Sequence, residues 1–322
     1  MRRGSDLSGG GRCMILCCGE ALIDMIPAGS AGDGGRLLRP TPGGAVFNTA
    51  RALGRLGVRA GYFGGLSADF LGRMLGGALA ESAVDTALAP IFERPTTLSF
   101  VRMEDGQARY AFYDENTAGR MLSPADLPEL SAEVHALFFG GISLVAEPCG
   151  SAFEALLARE AGRRLIVLDP NIRPGFITDE TAYRARLARM IARADILKLS
   201  DEDLAWLAGS DDPAAARAFL EAGPALVVLT RGGAQALAFT KAGEGRAFPP
   251  EVEIADTIGA GDTFNAGLLA SLEGQGALAG RAGLEGLGAE GSSRALHFAC
   301  RAAALSVTRE GADPPWAHEL AG

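Results

Sequence analysis
Short, mostly apolar runs that alternate with longer helical patterns constrain the fold of this chain more than any other feature. Ile15-Leu16-Cys17-Cys18, Ala60 to Phe63, Ala136-Leu137-Phe138-Phe139, Leu165-Ile166-Val167-Leu168, Ile196-Leu197-Lys198-Leu199 and Ala225 to Leu229 lack the polar alternation of a half-exposed strand. Such runs read as strands covered on both faces. Between them, helical patterns span Ala45 to Leu56, Asp69 to Ala80, Ser151 to Ala161, Ala182 to Ala194 and Asp212 to Ala222. This alternation predicts an α/β fold with a mostly parallel sheet and helices on both faces. It also predicts a ligand site outside the carboxyl ends of the strands.

Size and charge narrow the class. With 322 residues, 48% of them hydrophobic and 21% charged, the chain can bury a large core and is too apolar for disorder. A net charge of -9 and no basic stripe exclude nucleic acid as the natural partner. No apolar run approaches the length of a membrane span, so no membrane partner is expected. Five cysteines without a CxxC pair predict reduced, mostly buried thiols in a cytoplasmic protein. The three histidines, His135, His297 and His318, have no metal-ligand spacing. Residues 1–13 are rich in Gly, Ser and Arg and read as a disordered extension, and length alone allows the remainder one large or two small domains.

One region breaks the alternation. Thr96 to Phe112 carries alternating apolar and polar residues around Glu104-Asp105-Gly106-Gln107, a hairpin signal. A hairpin does not extend a parallel core sheet, and this one is expected to protrude over a cleft or to lie on the rim. Gly286-Leu287-Gly288-Ala289-Glu290-Gly291 formally matches GxGxxG, but no strand precedes it, so it reads as a mobile loop between two helices. No GxxxxGK[ST] sequence occurs, which speaks against a P-loop enzyme.

The chemistry concentrates in Asp256-Thr257-Ile258-Gly259-Ala260-Gly261-Asp262-Thr263-Phe264. Glycine and alanine let backbone N–H groups approach a ligand. The apolar run from Phe264 to Leu272 reads as a helix, so those N–H groups sit at a helix N-terminus, where an anion such as phosphate is favoured. Asp262 then lies at the mouth of an anion site. The role that suits a carboxylate there is to take a proton from a hydroxyl attacking phosphorus. The alternative is an ordinary turn followed by an Asp-Thr N-cap.

Other polar residues fall at strand ends. Asp24 follows the first strand and can accept hydrogen bonds from hydroxyls. Gly43 and Gly44 permit a tight turn, and Asn48, one turn into the following helix, offers a donor and an acceptor. Asp169-Pro170-Asn171-Ile172-Arg173 follows one strand directly, and Thr230-Arg231-Gly232-Gly233-Ala234 ends another. Ser200-Asp201-Glu202-Asp203 follows a further strand and by its residues alone reads as an N-cap with acids in the first helical turn.

The nine-residue glycine string resembles the C-terminal signature of the ribokinase-like, or pfkB-type, carbohydrate kinases. The Gly43-Gly44…Asn48 and Asp169-Pro170-Asn171…Arg173 segments resemble further motifs of that family. The resemblance runs from about Ile15 to Pro315 and is strongest to the bacterial fructokinase-like branch. It implies a single domain over 14–322, a three-layer α/β/α sandwich with a small β-sheet lid near residues 25–42 and 96–114. It implies a sugar held by Asp24, Gly43, Gly44, Asn48, Asn171 and Arg173, and phosphoryl transfer by Asp262 with Gly259, Ala260, Gly261 and Arg173. Nucleotide is expected at Lys198, Ser200, Thr230, Arg231, Gly232, Gly259 and Gly261. Mg²⁺ is expected at Glu202 or Asp203 through water, and a monovalent cation, K⁺, at Asp256 and the Ile258 backbone. Val307 to Pro315 would flank the adenine. Gln235 stands where the family usually has glycine, and Ser200 with Asp203 replaces its Asn-x-x-Glu. An exposed lid edge and the resemblance together imply a homodimer through the lid.

The expected activity is ATP-dependent phosphorylation of fructose at its 6-hydroxyl. The alternative within the family is 2-keto-3-deoxygluconate kinase, whose acidic substrate calls for a cation. Kinases of that type carry an arginine where this chain has Asp114, next to Glu115. Two acids there predict a neutral sugar, unless Arg102, Arg109 or Arg120 compensates. The alternative outside enzymes is a sugar- or nucleotide-binding protein on the same fold, which the intact Asp262 and glycine loop argue against.

Overall fold
The computed structural model describes residues 14–30, 32, 35–104 and 107–321, with side chains for all of these but 101–104 and 107–110. The expectations for residues 1–13, the Asp105-Gly106 turn and the Arg102 and Arg109 side chains lie outside that range.

The amino-terminal half runs β1 (Met14–Cys18), β2 (Leu22–Ser30), β3 (Arg36–Gly43), α1 (Ala45–Arg55), β4 (Ala60–Phe63), β5 (Leu66–Ser67), α2 (Phe70–Glu81), β6 (Val84–Asp85), β7 (Ile91–Phe92), β8 (Leu98–Glu104) and β9 (Gln107–Tyr113). It continues through β10 (Val134–Gly140), α3 (Cys149–Glu160), β11 (Leu165–Asp169), α4 (Glu180–Ile191), β12 (Ile196–Ser200), α5 (Asp201–Ala208), α6 (Pro213–Ala218) and β13 (Leu226–Arg231). The carboxy-terminal part holds β14 (Gln235–Thr240), β15 (Gly243–Ala247), α7 (Ala260–Gly274), α8 (Arg281–Glu285) and α9 (Ala289–Ser306).

The main sheet has the order β15-β14-β13-β12-β11-β10-β1-β4-β6. From β6 to β13 every pairing is parallel; β14 and β15 close the edge in antiparallel fashion. Its central strands are buried on both faces, and their alternate residues divide between two cores. Ile15, Cys17, Phe138 and Val167 pack with α1, α2, α7 and α9. Leu16, Cys18, Phe139 and Leu168 pack with α3, α4 and α5. The continuous apolar runs are therefore what a sheet covered by helices on both sides requires.

A second sheet, ordered β3-β2-β8-β9, stands apart from the first. It pairs β2 with β3 and β8 with β9 in antiparallel fashion, and joins the two hairpins through a parallel β2–β8 contact. The β8–β9 pairing runs up to Glu104 opposite Gln107.

Two expectations need correction. The loop expected at Gly286 to Gly291 is confined to 286–288, between α8 and α9, and the rest of the segment 273–293 is mostly helical. One 3₁₀ turn, α8 and the start of α9 occupy it, because Leu278, Leu284 and Leu287 bury into the core while Gly276 and Gly280 take the positive φ of the turns between them. The helix expected over Asp212 to Ala222 ends at Ala218 and finishes as a 3₁₀ turn through Glu221.

Candidate active site
Three adjoining cavities of about 660, 490 and 630 Å³ run along the carboxyl ends of the parallel strands, the second and third of them beside the first turn of α7. The central one shares Arg173 and Phe176 with the first, and Thr230 and Gly261 with the third.

The centre is the α7 N-terminus. Gly259 is the N-cap with φ of 76°, and a Cβ there would stand 2.7 Å from the Ala312 Cβ, so both conformation and space demand glycine. The Ala260 N–H is taken up by the Thr257 carbonyl at 3.3 Å. That leaves the Gly261 and Asp262 N–H groups as the donors of this turn. Asp262 is not the cap. It lies inside the first turn, 7% exposed, and its Oδ2 accepts a hydrogen bond from Asn48 Nδ2 at 2.9 Å. Burial pushes its pKa up to about 7. The Asn48 hydrogen bond and Lys198 oppose the rise, while Asp169 and Glu20 add to it.

On the lid side, Asp24 on β2 lines the central cavity, and burial raises its pKa. Gly43 makes the space for it: a Cβ at 43 would lie 2.2 Å from Asp24 Oδ2. Gly44 caps α1 at φ 108°, and Asn48 on that helix is buried with its Oδ1 lacking a hydrogen-bond partner. Asn171, at φ 44°, and Arg173 bring the loop after β11 to the same cavity.

Beneath the α7 N-terminus lies a charged network centred on Asp169, whose Oδ1 also accepts from the Asn171 N–H at 3.2 Å and closes the turn there. Asp169, the last residue of β11, accepts at Oδ2 from Lys198 Nζ at 3.0 Å and from Asn265 Nδ2 at 2.7 Å. Burial opposes the charge on Lys198, but the Asp169 and Asp203 carboxylates outweigh it and its pKa is raised. Asn265, a polar residue one turn beyond Asp262 in an otherwise apolar helix, was the available signal. Glu20 was also overlooked. Its Oε1 accepts from the Ala45 N–H at 2.9 Å and its Oε2 from the Ser143 N–H at 3.3 Å, tying the start of α1 to the turn after β10. Burial raises its pKa.

Ser200 and Asp203 form a reciprocal capping box at the start of α5, and Asp203 Oδ1 also accepts from the Ile172 N–H at 2.7 Å. Glu202 lies at the central cavity with its side chain free of such a role. Among the described residues no group of three His, Cys, Asp or Glu side chains converges on one point. Thr230 and Gly232 line the central cavity and the more apolar third one, whereas Arg231 turns towards Asp211 at 3.7 Å. Gln235 lines the third cavity as the first residue of β14, in a conformation that does not need glycine. Asp256 accepts from the Ile258 N–H at 3.0 Å and from the Gly311 N–H at 2.9 Å. Asp114 is not a bare anion, because Arg120 Nη1 pairs with it at 2.9 Å, so it does not argue for a neutral sugar as expected.

Known proteins fit this geometry. A profile described as the pfkB family carbohydrate kinases matches residues 13–319. The chain is 52% identical over 263 residues to a fructokinase of Rhizobium leguminosarum bv. trifolii, which covers 81% of this chain and 80% of the relative. The solved fructokinase with bound ATP from Xylella fastidiosa superposes with a TM-score of 0.87 at 27% identity, over 95% of this chain and 96% of that one. A fructokinase from Vibrio cholerae O395 in fructose, ADP and calcium ion bound form gives a TM-score of 0.79 at 26% identity, over 94% of this chain and 95% of that one.

Proposed function
The chain belongs to the pfkB family of carbohydrate kinases, and we propose that it transfers the terminal phosphoryl group of ATP to the 6-hydroxyl of fructose, with Asp262 as general base. One observation carries the assignment of the base. The buried Asp262 carboxylate stands in the first turn of a helix whose N–H groups favour an anion, and burial there pushes its pKa up to about 7. A base poised near neutrality takes a proton without being permanently neutralised.

Asp24 and the unpartnered Asn48 Oδ1 accept hydrogen bonds from sugar hydroxyls. Their placement orients the 6-hydroxyl towards Asp262. As that oxygen attacks the terminal phosphorus, its proton passes to Asp262. The bond from phosphorus to the bridging oxygen breaks, and ADP leaves with the electron pair. The Gly261 and Asp262 N–H groups and Arg173 stabilise the charge on the phosphoryl oxygens. Lys198, held by Asp169 beneath Gly261, adds a fixed positive charge near the same point. Adenine suits the apolar third cavity, next to Thr230 and Gly232.

The oxygen donors at this site fit Mg²⁺, which would be held by the nucleotide phosphates and, through water, by Glu202, and would neutralise phosphate charge. Asp256 and the Ile258 backbone order the loop where K⁺ would be held. The β2–β3–β8–β9 sheet would act as a lid on a single kinase domain spanning 14–322, excluding water when it closes. Its exposed Leu37 and Leu38 suit a homodimer formed through the lid. The buried free thiols of Cys17, Cys18, Cys149 and Cys300 suit a reducing cytoplasm. Among the described residues no helix is long and apolar enough to cross a membrane.

The test is ADP production from ATP and Mg²⁺ with fructose, ribose, glucose, adenosine and 2-keto-3-deoxygluconate. Fructose as the best acceptor is the expected result. Turnover only with the keto-acid would keep the base and move the acceptor, and silence with every sugar would refute the kinase reading.

A further inference from the structure
Helix α1 carries Asn48, Arg51 and Arg55 at helical spacing on one stripe. Asn48 touches Asp262. The two arginines below it reach a different segment, the chain after α9. Arg51 Nη1 donates to the Ala312 carbonyl at 3.2 Å; Arg55 Nη1 donates to Asp313 Oδ1 at 2.5 Å and to the Pro314 carbonyl at 2.7 Å. The Trp316 ring lies 5.2 Å from the Arg55 guanidinium.

The same segment grips the loop before α7 from its other side. The Val307 carbonyl accepts from the Ala255 N–H at 2.8 Å and the Asp256 N–H at 3.2 Å, and the Gly311 N–H donates to Asp256 Oδ2 at 2.9 Å. Ala312 abuts Gly259, the N-cap of the anion site. Residues 307–316 thus lie between α1, which carries the sugar-side Asn48, and the loop that sets the Gly259 turn.

Stability alone is a poor reason for this arrangement. The Nε atoms of both arginines are buried without a hydrogen-bond partner. The cations sit one turn apart and repel each other. Their planar forks instead fix the backbone of a segment that has no helix or strand of its own.

We propose that Arg51 and Arg55 are positioning residues that hold the 312–314 backbone against the Gly259 turn, and so keep the phosphate-binding N–H groups in register with Asp262 and Asn48. The inference rests on the kinase reading above. Helix α1 thereby couples the sugar side of the cleft to the nucleotide side, in addition to presenting Asn48.

The experiment compares Arg51→Met, Arg55→Met and Asp313→Ala with the wild-type protein, by thermal unfolding and by steady-state kinetics with ATP and fructose. In Arg51→Met and Arg55→Met, kcat falls by on the order of ten- to a hundredfold, the scale for displacing a reacting group by about an ångström. KM for ATP rises severalfold and KM for fructose changes little. Asp313→Ala, which removes the grip from the half-exposed loop side, moves both constants in the same direction if an arginine variant fails to fold. Arg51→Lys retains one donor for the Ala312 carbonyl and restores part of kcat. A lowered Tm with kcat and both KM values unchanged would overturn the proposal. Absence of fructose turnover in the wild type would be a failure of the functional reading instead. Calorimetric binding of ADP would then decide the positioning role, with severalfold weaker binding in the variants expected and unchanged binding overturning it.

Discussion

Replacing Asp262 by Asn should make the protein inactive and, at alkaline pH, more stable. Asparagine keeps the shape and can still accept the Asn48 Nδ2 hydrogen bond, now 2.9 Å long, through its own carbonyl oxygen. What it removes is a buried charge. The carboxyl stands at about 7 in the folded protein, against an ordinary 3.8. Below pH 3.8 it is protonated in both folded and unfolded chains and costs nothing. As pH rises to about 7 the unfolded chain ionises first, so the folded state loses stability across that window, and above it the full penalty is present. At about 1.4 kcal/mol per pH unit this amounts to about 4 kcal/mol as an upper bound. Solvent in the open cleft brings the expected gain to between about 1 and about 4 kcal/mol. At about 2 °C per kcal/mol for a chain of this size, Tm at pH 8 should rise by several degrees. The assay is thermal unfolding of the ligand-free wild-type and Asp262→Asn proteins from pH 5 to pH 8.5, with turnover measured on the same samples. The gain should shrink as pH falls, and turnover should drop by on the order of a hundredfold or more. Equal Tm values throughout would refute the claim that burial raises this pKa, and near-wild-type turnover would remove Asp262 as the base.

Three other outcomes are expected. The kcat/KM profile should fall on the acid side of about 7 as Asp262 takes up a proton, and Asn48→Ala should move that limb to higher pH, because it deletes the hydrogen bond that favours the carboxylate. An unmoved limb would show that another group titrates. Gly43→Ala would place a methyl 2.2 Å from Asp24 Oδ2, so KM for fructose should rise by about tenfold, and stability should fall by about 1–3 kcal/mol from overpacking; an unchanged KM would take Asp24 out of the sugar site. Chelation of divalent cations should stop ADP formation and added Mg²⁺ should restore it, whereas activity surviving chelation would remove the metal from the reaction.

The parallel core was legible because a strand buried on both faces announces itself locally. Ile15 to Cys18 and Leu165 to Leu168 need no partner information to be recognised, and the observed strands extend them by one residue. The antiparallel edge was not. Gln235 to Thr240 is buried on both faces, but its two alanines and polar ends dilute the apolar run, and Gly243-Glu244-Gly245 hides the next strand behind residues that usually mark turns. Lid strands were legible as alternation around Asp105-Gly106, and their pairing into one sheet was not, because the β2–β8 contact joins Ile23 to Leu98, segments about seventy-five residues apart.

The site divides along the same physical line. Gly259, Ala260, Gly261 and Asp262 were readable as a group because one helix start carries both the free N–H groups and the carboxylate, and local geometry delivers both. The wider network of Asp169 was not legible because its partners are remote: Lys198 comes from the next strand, and Asn265 lies 96 residues away. Asn48 meets Asp262 across 214 residues, and no local pattern states that distance. A local pattern therefore finds the candidate carboxylate but not the residues that set its charge. The pKa of Asp262 follows from burial and from Asn48, Asp169, Lys198 and Glu20, four residues from four other segments. Whether the carboxylate is a base at neutral pH is thus a property of the assembled fold. Two chains that share the glycine string should differ in their pH dependence wherever those four positions differ.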